Sequence, residues 1–206
     1  MTKATRPSTV VFDIGGVLLR WDPRHLYRKI FADEAQMEWF LREVCTAEWN
    51  VEQDRGRRWD DAVALLIERH AEWEAQIRAF HDRWHETIAG FYDENVAVLE
   101  RLTAAGVPVY AITNFSAEKF VEARERYPFL QRFKGVVVSG EDRMLKPDRD
   151  IFELFFSRYS MAPADCLFID DSRANIETAR SLGMQTIHFV EPMDLAAALR
   201  SHGIDA

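Results

Sequence analysis

The chain has 206 residues, of which 48% are apolar, and it carries a formal net charge of −8. A chain of this length can bury a substantial core, its acidity argues against nucleic acid as a partner, and its apolar runs are far shorter than the ~20 residues of a membrane-spanning helix. Two cysteines are too few for a disulfide framework, and Asp13 interrupts the first apolar stretch where a secretory signal would continue, so we expect a globular cytoplasmic protein that binds neither nucleic acid nor membrane.

The first predicted element is a short buried strand. Thr9–Ile14 is an apolar run, and the pair Gly15-Gly16 that follows it is typical of a sharp turn. From Pro23 to about Ala89, apolar residues recur at three- and four-residue spacing, which predicts helices and no strand. The predicted breaks between these helices lie near residues 32–35, 50–57 and 72–74. All six tryptophans lie between residues 21 and 84, so this segment also differs from the rest of the chain in composition.

After Gly90, predicted strands alternate with predicted helices. The strands are Val107–Ile112, Gly135–Ser139, Cys166–Ile169 and Gln185–Phe189, and the helices are Asn95–Ala105, Ala117–Tyr127, Arg149–Tyr159 and Ala174–Leu182. Such alternation indicates βαβ units. We therefore predict an α/β fold in which a parallel sheet, including the first strand, has helices on both faces, and in which residues 20–90 form an all-helical insertion.

Polar side chains lie at or just beyond the ends of four of these strands. They are Asp13 at the first strand, Thr113 and Asn114 at the second, Lys146 a few residues beyond the third, and Asp170 with Asp171 at the fourth. In an open parallel sheet, a site forms where the carboxyl ends of the strands meet, so we expect these groups to face one crevice. Adjacent acids such as Asp170 and Asp171 repel each other unless a cation lies between them, and the pair therefore indicates a metal.

The same residues lie in stretches that resemble the haloacid dehalogenase superfamily of hydrolases, in its phosphatase-like branch with a cap inserted directly after the first strand. The stretches are Phe12-Asp13-Ile14-Gly15-Gly16-Val17, Ile112-Thr113-Asn114, Lys146-Pro147-Asp148 with Ile151-Phe152, and Phe168-Ile169-Asp170-Asp171-Ser172 with Asn175. They span nearly the whole chain in the order of the family. The resemblance implies a Rossmann-like, three-layer catalytic core over residues 1–19 and 91–206 and a helical cap domain over residues 20–90. The hinge between them would lie near Leu19–Asp22 and Gly90–Asp93.

The resemblance also implies a role for each polar group at the strand ends. Asp13 would be the nucleophile that forms an aspartyl-phosphate. The implied Mg²⁺ ligands are Asp13, the carbonyl of Gly15, Asp170 and Asp171. The implied phosphate-binding groups are Thr113, the amide of Asn114 and Lys146, of which Lys146 would also balance the surrounding negative charge. The implied function is Mg²⁺-dependent hydrolysis of a small phosphorylated metabolite, such as a sugar phosphate, by a monomer or weak homodimer.

The sequence departs from the superfamily at residue 15. Most of its phosphatases carry a general acid and base two residues after the nucleophile, but Gly15 has no side chain that can move a proton. Asp22 or a metal-held water are candidates for this role, although Asp22 fits the cap of the first helix better. Two alternatives stay open. The first is a metal-independent 2-haloacid dehalogenase that uses Asp13 as its nucleophile, although the Asp170-Asp171 pair argues against it. The second is a catalytically weak regulatory or binding protein, which Gly15 alone supports.

Three other features carry weaker functional signals. His81 and His85, four residues apart, could share a metal, but no third ligand is obviously placed, which favours a helix surface or the core of the cap. The three arginines between residues 55 and 58 are typical of a solvated face rather than a phosphate clamp. The tryptophans are expected in the helical core, except that Trp21, beside the hinge, is the one best placed to face a substrate.

Overall fold

Residues 6–205 are described by a computed structural model. Its strands are β1 (Thr9–Phe12), β2 (Leu19–Trp21), β3 (Ile88–Phe91), β4 (Val109–Thr113), β5 (Gly135–Val138), β6 (Cys166–Asp170) and β7 (Gln185–His188). Its helices are α1 (Arg24–Tyr27), α2 (Glu34–Glu43), α3 (Ala47–Asp54), α4 (Trp59–Ile67), α5 (Glu74–Asp82), α6 (Asp93–Ala104), α7 (Ala117–Arg126), α8 (Ser139–Asp142), α9 (Arg149–Tyr159), α10 (Arg173–Ser181) and α11 (Leu195–Ser201). Residues 1–5, on which part of the prediction about a secretory signal rests, lie outside the described residues.

A five-stranded parallel sheet in the order β5-β4-β1-β6-β7 forms the centre of the molecule. Val10 and Phe12 of β1 pack in one apolar cluster with α6, α7 and α11, whereas Val11 packs in a second cluster with α9 and α10. All three side chains are fully buried, as expected for a central parallel strand that is covered on both faces. The three-layer, Rossmann-like α/β fold is therefore confirmed.

The sequence pattern located the regular elements of the core well. Each of the five predicted sheet strands and four predicted core helices begins and ends within two residues of the observed element. The pattern did not predict α8 or α11. Both are short, with four and seven residues, so neither shows enough helical turns for a periodic pattern.

The insertion contains α1–α5. The strands at its two ends, β2 and β3, pair with each other and form a two-stranded antiparallel hairpin around the helices in the sequence. In this hairpin Leu19 of β2 lies opposite Phe91 of β3, and Trp21 lies opposite Ile88. The prediction that no strand occurs between Pro23 and about Ala89 is therefore wrong at its end, because Ile88 and Ala89 belong to β3. The prediction that residues 20–90 are all-helical is wrong at both ends, because Arg20 and Trp21 belong to β2. The pairing is short and contains a register irregularity, so it leaves no clear alternation in the sequence. The predicted hinge coincides with this hairpin, and the division at residues 20 and 90, which falls within it, stays a prediction.

The breaks between the helices follow the sequence, with one addition. Chain segments without α-helix occur at residues 28–33, 55–58 and 68–73, close to the three predicted breaks. A fourth break separates α2 from α3 at residues 44–46, where the Thr46 hydroxyl accepts a hydrogen bond from the backbone N–H of Trp49 at 3.1 Å. This hydroxyl caps α3 and marks its start.

The cap and the sheet share one apolar core. The cluster that contains Val10 and Phe12 continues through Leu18 and Leu19 of the hairpin into the cap. There Tyr27 packs on other aromatic rings, with ring centres 5.0 Å from Phe40 and 5.7 Å from Phe80. The tryptophans are only partly the core residues that the sequence predicts: Trp59 and Trp84 are buried and Trp49 and Trp73 half-buried, whereas Trp21 and Trp39 are exposed.

Hydrogen bonds outside the hairpin also join the cap to the core. The indole Nε1 of Trp59 donates to Ser116 Oγ at 2.9 Å, and the Ser139 hydroxyl donates to the backbone carbonyl of Asp54 at 2.6 Å. The ammonium of Lys119 donates to the carbonyl of His81 at 2.8 Å. The cap is therefore attached at two separate places, the hairpin and this row of hydrogen bonds.

We expect Ser116→Ala to lower the free energy of unfolding by roughly 2–4 kcal/mol. The change leaves the buried indole N–H of Trp59 without its acceptor, and it removes the oxygen that also accepts from the backbone N–H of Lys119 at the start of α7. Urea unfolding measures the loss. Thr46→Ala is the matched control. It removes a similar helix-capping hydroxyl that makes no bond between the cap domain and the core, and it is expected to cost about 1 kcal/mol. Equal losses in the two variants would contradict a contribution from the Trp59 contact.

No helix within residues 6–205 is long and apolar enough to span a membrane. Cys45 and Cys166 are both buried and unpaired. The cytoplasmic location and the oligomeric state stay predictions.

Candidate active site

The carboxyl ends of three neighbouring strands bring the predicted site residues together. Asp13 directly follows β1, Thr113 ends β4 and Asp170 ends β6, and β1 pairs in register with both of the other strands. Lys146 reaches the same place from the segment between α8 and α9. The crevice predicted from the strand order is therefore present, and Asp13, Thr113, Lys146 and Asp170 are all buried in it.

Lys146 lies between two carboxylates. Its Nζ is 2.8 Å from Asp13 Oδ1 and 2.7 Å from Asp170 Oδ2. Burial alone would lower the pKa of this ammonium, but the Asp13 and Asp170 carboxylates outweigh burial and raise the pKa above its usual value. Lys146 is therefore a fixed positive charge beside Asp13.

Asp13 is a carboxylate held in place in a poorly solvated setting. Its Oδ1 accepts from the backbone N–H of Ile14 at 2.7 Å as well as facing Lys146. Burial raises the pKa of Asp13 to about 8 against the opposing Lys146 ammonium, and the Asp170 and Asp171 carboxylates contribute to the rise. A carboxylate that is removed from solvent and has two further carboxylates nearby favours the binding of a cation.

Asp170 is fixed by its neighbours and is fully buried. Its Oδ1 accepts from the backbone N–H of Ser172 at 2.7 Å, and the side-chain amide of Asn175 donates to both carboxylate oxygens at 3.0 Å. The sequence pattern includes Asn175 but assigns it no task. The structure places it as the residue that orients Asp170.

The acidic residues at the strand ends fit a divalent cation. Asp13, Asp170 and Asp171 each present an oxygen within 4.8 Å of those of the other two. Three carboxylates and the Lys146 ammonium sum to a charge of −2, which a divalent ion would neutralise. Gly16, at φ +71°, allows the Asp171 carboxylate to approach so closely that a Cβ at residue 16 would collide with it. Hard oxygen donors in this number suit Mg²⁺ or a similar ion.

The groups predicted to bind a phosphate differ in their availability. Thr113 Oγ1 is buried and has no hydrogen-bond partner among residues 6–205, so it is free to meet a ligand. The Asn114 side chain is already engaged, since its Nδ2 donates to the Lys146 carbonyl at 2.9 Å and its Oδ1 accepts from the Lys146 N–H at 2.8 Å. Asn114 therefore positions Lys146 with its side chain, so a contact with a substrate would have to come from its backbone N–H.

A cavity of about 330 Å³ opens above Asp13, between the core and the cap. Its wall includes seven apolar side chains, namely Leu19, Trp21, Ala47, Val51, Trp84, Ile88 and Phe115. The polar or charged side chains in the wall are Asp13, Asn50, Asp54, Asn114, Ser116 and Asp171. Trp21 thus lines the cavity, as its position beside the predicted hinge indicates, and among residues 6–205 no lysine, arginine or histidine does.

The other sequence signals lie outside this cavity. His81 Nε2 is 3.4 Å from Asp60 Oδ1 and His85 Nδ1 is 3.6 Å from Glu122 Oε1, so the two imidazoles face different carboxylates. The Asp22 carboxylate accepts from the backbone N–H of Arg24, the first residue of α1, at 2.9 Å, which agrees with its predicted capping role.

The arginines near residue 57 are bonded to cap residues. Arg57 donates to the Gln53 side chain and to the Trp49 carbonyl, while Arg55 and Arg58 pair with nearby carboxylates of the cap. None of the three lines the cavity.

A family model described as haloacid dehalogenase-like hydrolase matches residues 7–183. The chain belongs to this family of hydrolases. Over 193 residues this hydrolase is 26% identical to a sesquiterpene phosphatase of Aspergillus oryzae, and the match covers 92% of the present chain and 93% of that protein.

Solved structures share its fold. An HAD family enzyme of Bacteroides thetaiotaomicron, in complex with magnesium and inorganic phosphate, aligns with a TM-score of 0.74 at 20% identity over 93% of this chain and 98% of that one. The L-2-haloacid dehalogenase of Xanthobacter autotrophicus, with chloropropionic acid covalently bound, aligns with a TM-score of 0.62 at 18% identity over 95% and 83% of the two chains. The fold of this hydrolase thus occurs in proteins of both the metal-bound and the dehalogenase kind.

Sequence reasoning did not find three polar residues at the site. Ser116 and Ser139 bind the cap to the core, and Asp54 carries a cap carboxyl into the cavity. The capping position of Ser116 before α7 was a readable signal for the first of them. The other two depend on how the cap lies on the core, which has no local signature.

Proposed function

We propose that this hydrolase is a Mg²⁺-dependent phosphomonoesterase that works through an aspartyl-phosphate on Asp13. The observation that supports this most directly is the grouping of Asp13, Asp170 and Asp171 around one point, with Lys146 buried between the first two. A nucleophile, a cation site and a fixed ammonium in one place meet the main demands of phosphoryl transfer, which are positioning and charge stabilisation.

Each residue of the site has a task in this proposal. Asp13, Asp170, Asp171 and the carbonyl of Gly15 would hold Mg²⁺, which when bound offsets the negative charge that builds up on the transferred group. A carboxylate oxygen of Asp13 attacks phosphorus, Lys146 stabilises the charge on the phosphoryl oxygens, and the free Thr113 hydroxyl with the backbone N–H of Asn114 orients them.

The wall of the cavity favours the phosphate ester of a mainly apolar alcohol. Seven apolar side chains line it, and none of the described residues places a cationic side chain there that could pair with a carboxylate on the substrate. A sugar would require several hydrogen-bond partners, but Asn114 and Ser116 are already engaged. The full-length similarity to a sesquiterpene phosphatase supports the same substrate class. The sugar phosphate expected from the sequence thus ranks below an apolar phosphoester.

A substrate panel tests this proposal. Purified protein is assayed for phosphate release from a short-chain isoprenoid monophosphate, a hexose phosphate and a phosphorylated carboxylic acid, with Mg²⁺ and after chelation. We expect turnover only with the metal, and at least a tenfold higher kcat/KM for the isoprenoid ester. Unchanged turnover after chelation would refute the metal site, and a preference for the hexose phosphate would refute the substrate class.

Because Gly15 also fits a dehalogenase, that alternative is tested by a separate assay. A metal-independent dehalogenase needs no acid two residues after its nucleophile, which Gly15 satisfies, and the fold occurs in such an enzyme. Release of chloride from a 2-haloacid, without phosphate release from any ester of the panel, would establish that alternative. If neither product forms, the protein is a binding or regulatory member of the family.

A further inference from the structure

The cavity above Asp13 contains one carboxyl group that the proposed mechanism does not yet use. Three acids line the cavity, namely Asp13, Asp54 and Asp171. Asp13 and Asp171 are engaged as nucleophile and metal ligands. Asp54 therefore remains as the cavity's unassigned acid, and it comes from the cap rather than from the strand ends.

The core fixes the position of Asp54. Asp54 is the last residue of α3, and its backbone carbonyl accepts from the Ser139 hydroxyl at 2.6 Å. The same hydroxyl oxygen accepts from the backbone N–H of Phe115, next to the phosphate-binding residues, at 2.9 Å. Two residues later, Gly56 at φ +100° allows close approach to the core, because a Cβ there would lie 2.9 Å from the Gly140 carbonyl. Backbone contacts thus hold Asp54 in the cavity wall, and its carboxyl accepts from the backbone N–H of Ser116.

The environment of the Asp54 carboxyl suits proton transfer. Burial raises its pKa to about 7, with the backbone N–H of Ser116 opposing the rise. The charged groups that share its cavity are the Asp13 and Asp171 carboxylates of the core, and within the part of the chain that the structure describes no cationic side chain lines the wall. An acid whose pKa lies near neutral pH can give up a proton and take one back under working conditions.

We propose that Asp54 is the general acid and base of this hydrolase, so that the cap supplies the proton transfer that Gly15 cannot. This inference rests on the proposed phosphomonoesterase function. In the first step an Asp13 oxygen bonds to phosphorus, the bond from phosphorus to the ester oxygen breaks, and that oxygen leaves as the alcohol with the Asp54 proton. In the second step the Asp54 carboxylate takes a proton from water, the water oxygen bonds to phosphorus, and the bond from Asp13 to phosphorus breaks to release phosphate.

Asp54→Asn tests the first step through the leaving group. An alkyl phosphate needs a proton on its departing oxygen, whereas p-nitrophenyl phosphate loses a stable phenolate. We expect the variant to lose about 10²-fold or more in kcat/KM for the alkyl ester, and to retain a rapid burst of nitrophenolate close to one equivalent, followed by slow turnover. Asn50→Ala is the control, because Asn50 lies on the same helix and lines the same cavity but cannot titrate. It should change both esters by a similar factor.

The outcomes separate the two proposals. If the wild-type protein is active and Asp54→Asn changes kcat/KM for the two esters by the same factor, or for neither, only the proposed role of Asp54 is refuted. If the wild-type protein releases no phosphate from either ester, the phosphomonoesterase function falls, and the role of Asp54 falls with it.

Thermal unfolding of both proteins, measured as a function of pH, checks that Asp54→Asn folds and that the Asp54 carboxyl of the wild type is buried. The pKa of Asp54 is about 7 in the folded protein against an ordinary value of 3.8, so the unfolded chain binds fewer protons between these values. Wild-type stability should therefore decrease as the pH rises from about 4 to about 7 because of this group, and the loss should be complete above 7. The variant should be at least as stable as wild type at pH 8. If Asp54→Asn is clearly less stable than wild type at pH 8, the proposal is contradicted, because Asp54 of the wild type would then be an ionised residue that stabilises the fold.

Discussion

Asp13→Asn is expected to reduce phosphate release by at least about 10⁴-fold, the largest effect of any single change in this chain. The amide has nearly the shape of the carboxylate, but it lacks the anionic oxygen that attacks phosphorus. Steady-state turnover of the preferred ester measures the loss. Acid quenching with a phosphorus-labelled substrate should show protein-bound label in the wild type and none in the variant.

Asp22→Asn is the control for this change. Its carboxylate caps α1 and pairs with Arg24 at 3.3 Å, and it does not line the cavity. We expect activity within about twofold of wild type, since Asn caps a helix about as well as Asp and residue 22 does not line the cavity. Labelled protein in Asp13→Asn would show that another residue is the nucleophile, and loss of activity in Asp22→Asn would instead assign proton transfer to Asp22.

Lys146→Met is expected to lower the free energy of unfolding by about 3–5 kcal/mol without metal, because it leaves buried carboxylates without their counter-charge. The Lys146 ammonium faces Asp13 and Asp170 at 2.8 and 2.7 Å, and its side chain is 1% exposed. Activity should fall at least about 10²-fold, since a fixed charge beside the transferred group is lost. Urea unfolding and steady-state kinetics measure the two effects.

Added Mg²⁺ distinguishes this site from an ordinary buried ion pair. With Lys146 replaced, the acidic cluster is more negative, so Mg²⁺ should raise the melting temperature of the variant more than that of wild type. Lys119→Met is the matched control. It replaces a buried lysine that bonds the His81 carbonyl and lies outside the cluster, so it should show no added response to the metal. An equal response to Mg²⁺ in wild type and Lys146→Met would argue against a cation beside Lys146.

The sequence was sufficient to predict the strands and helices of the core, because the apolar patterns that define them are local. The run over Thr9–Ile14 is fully apolar up to Asp13, and strand order then determines that Asp13, Thr113 and Asp170 meet. Burial of Lys146 between two acids follows from the same placement. The meeting of these four residues could thus be predicted from the sequence, whereas the engagement of the Asn114 side chain could not, because it depends on the path of the loop carrying Lys146.

The cap was less predictable for a physical reason. Its helices show in the periodic pattern, but their packing does not, because many arrangements of amphipathic helices bury similar surfaces. The hairpin of β2 and β3 rests on a few residues with an irregular register. The position of Asp54 in the wall of the cavity that Asp13 also lines depends on the hydrogen bond from Ser139 and on the close approach at Gly56, both between segments more than 80 residues apart in the chain.

The shared apolar core of sheet and cap has a consequence for how this enzyme could be altered. Leu18 and Leu19 are buried in the same cluster as Val10 of the sheet and Tyr27 of the cap. A cap transplanted from a relative would have to match that surface as well as the two chain junctions, or it would leave apolar area open to water. Changes of specificity are therefore more accessible through single residues of the cavity wall, such as Val51 or Trp21, than through exchange of the insertion as a module.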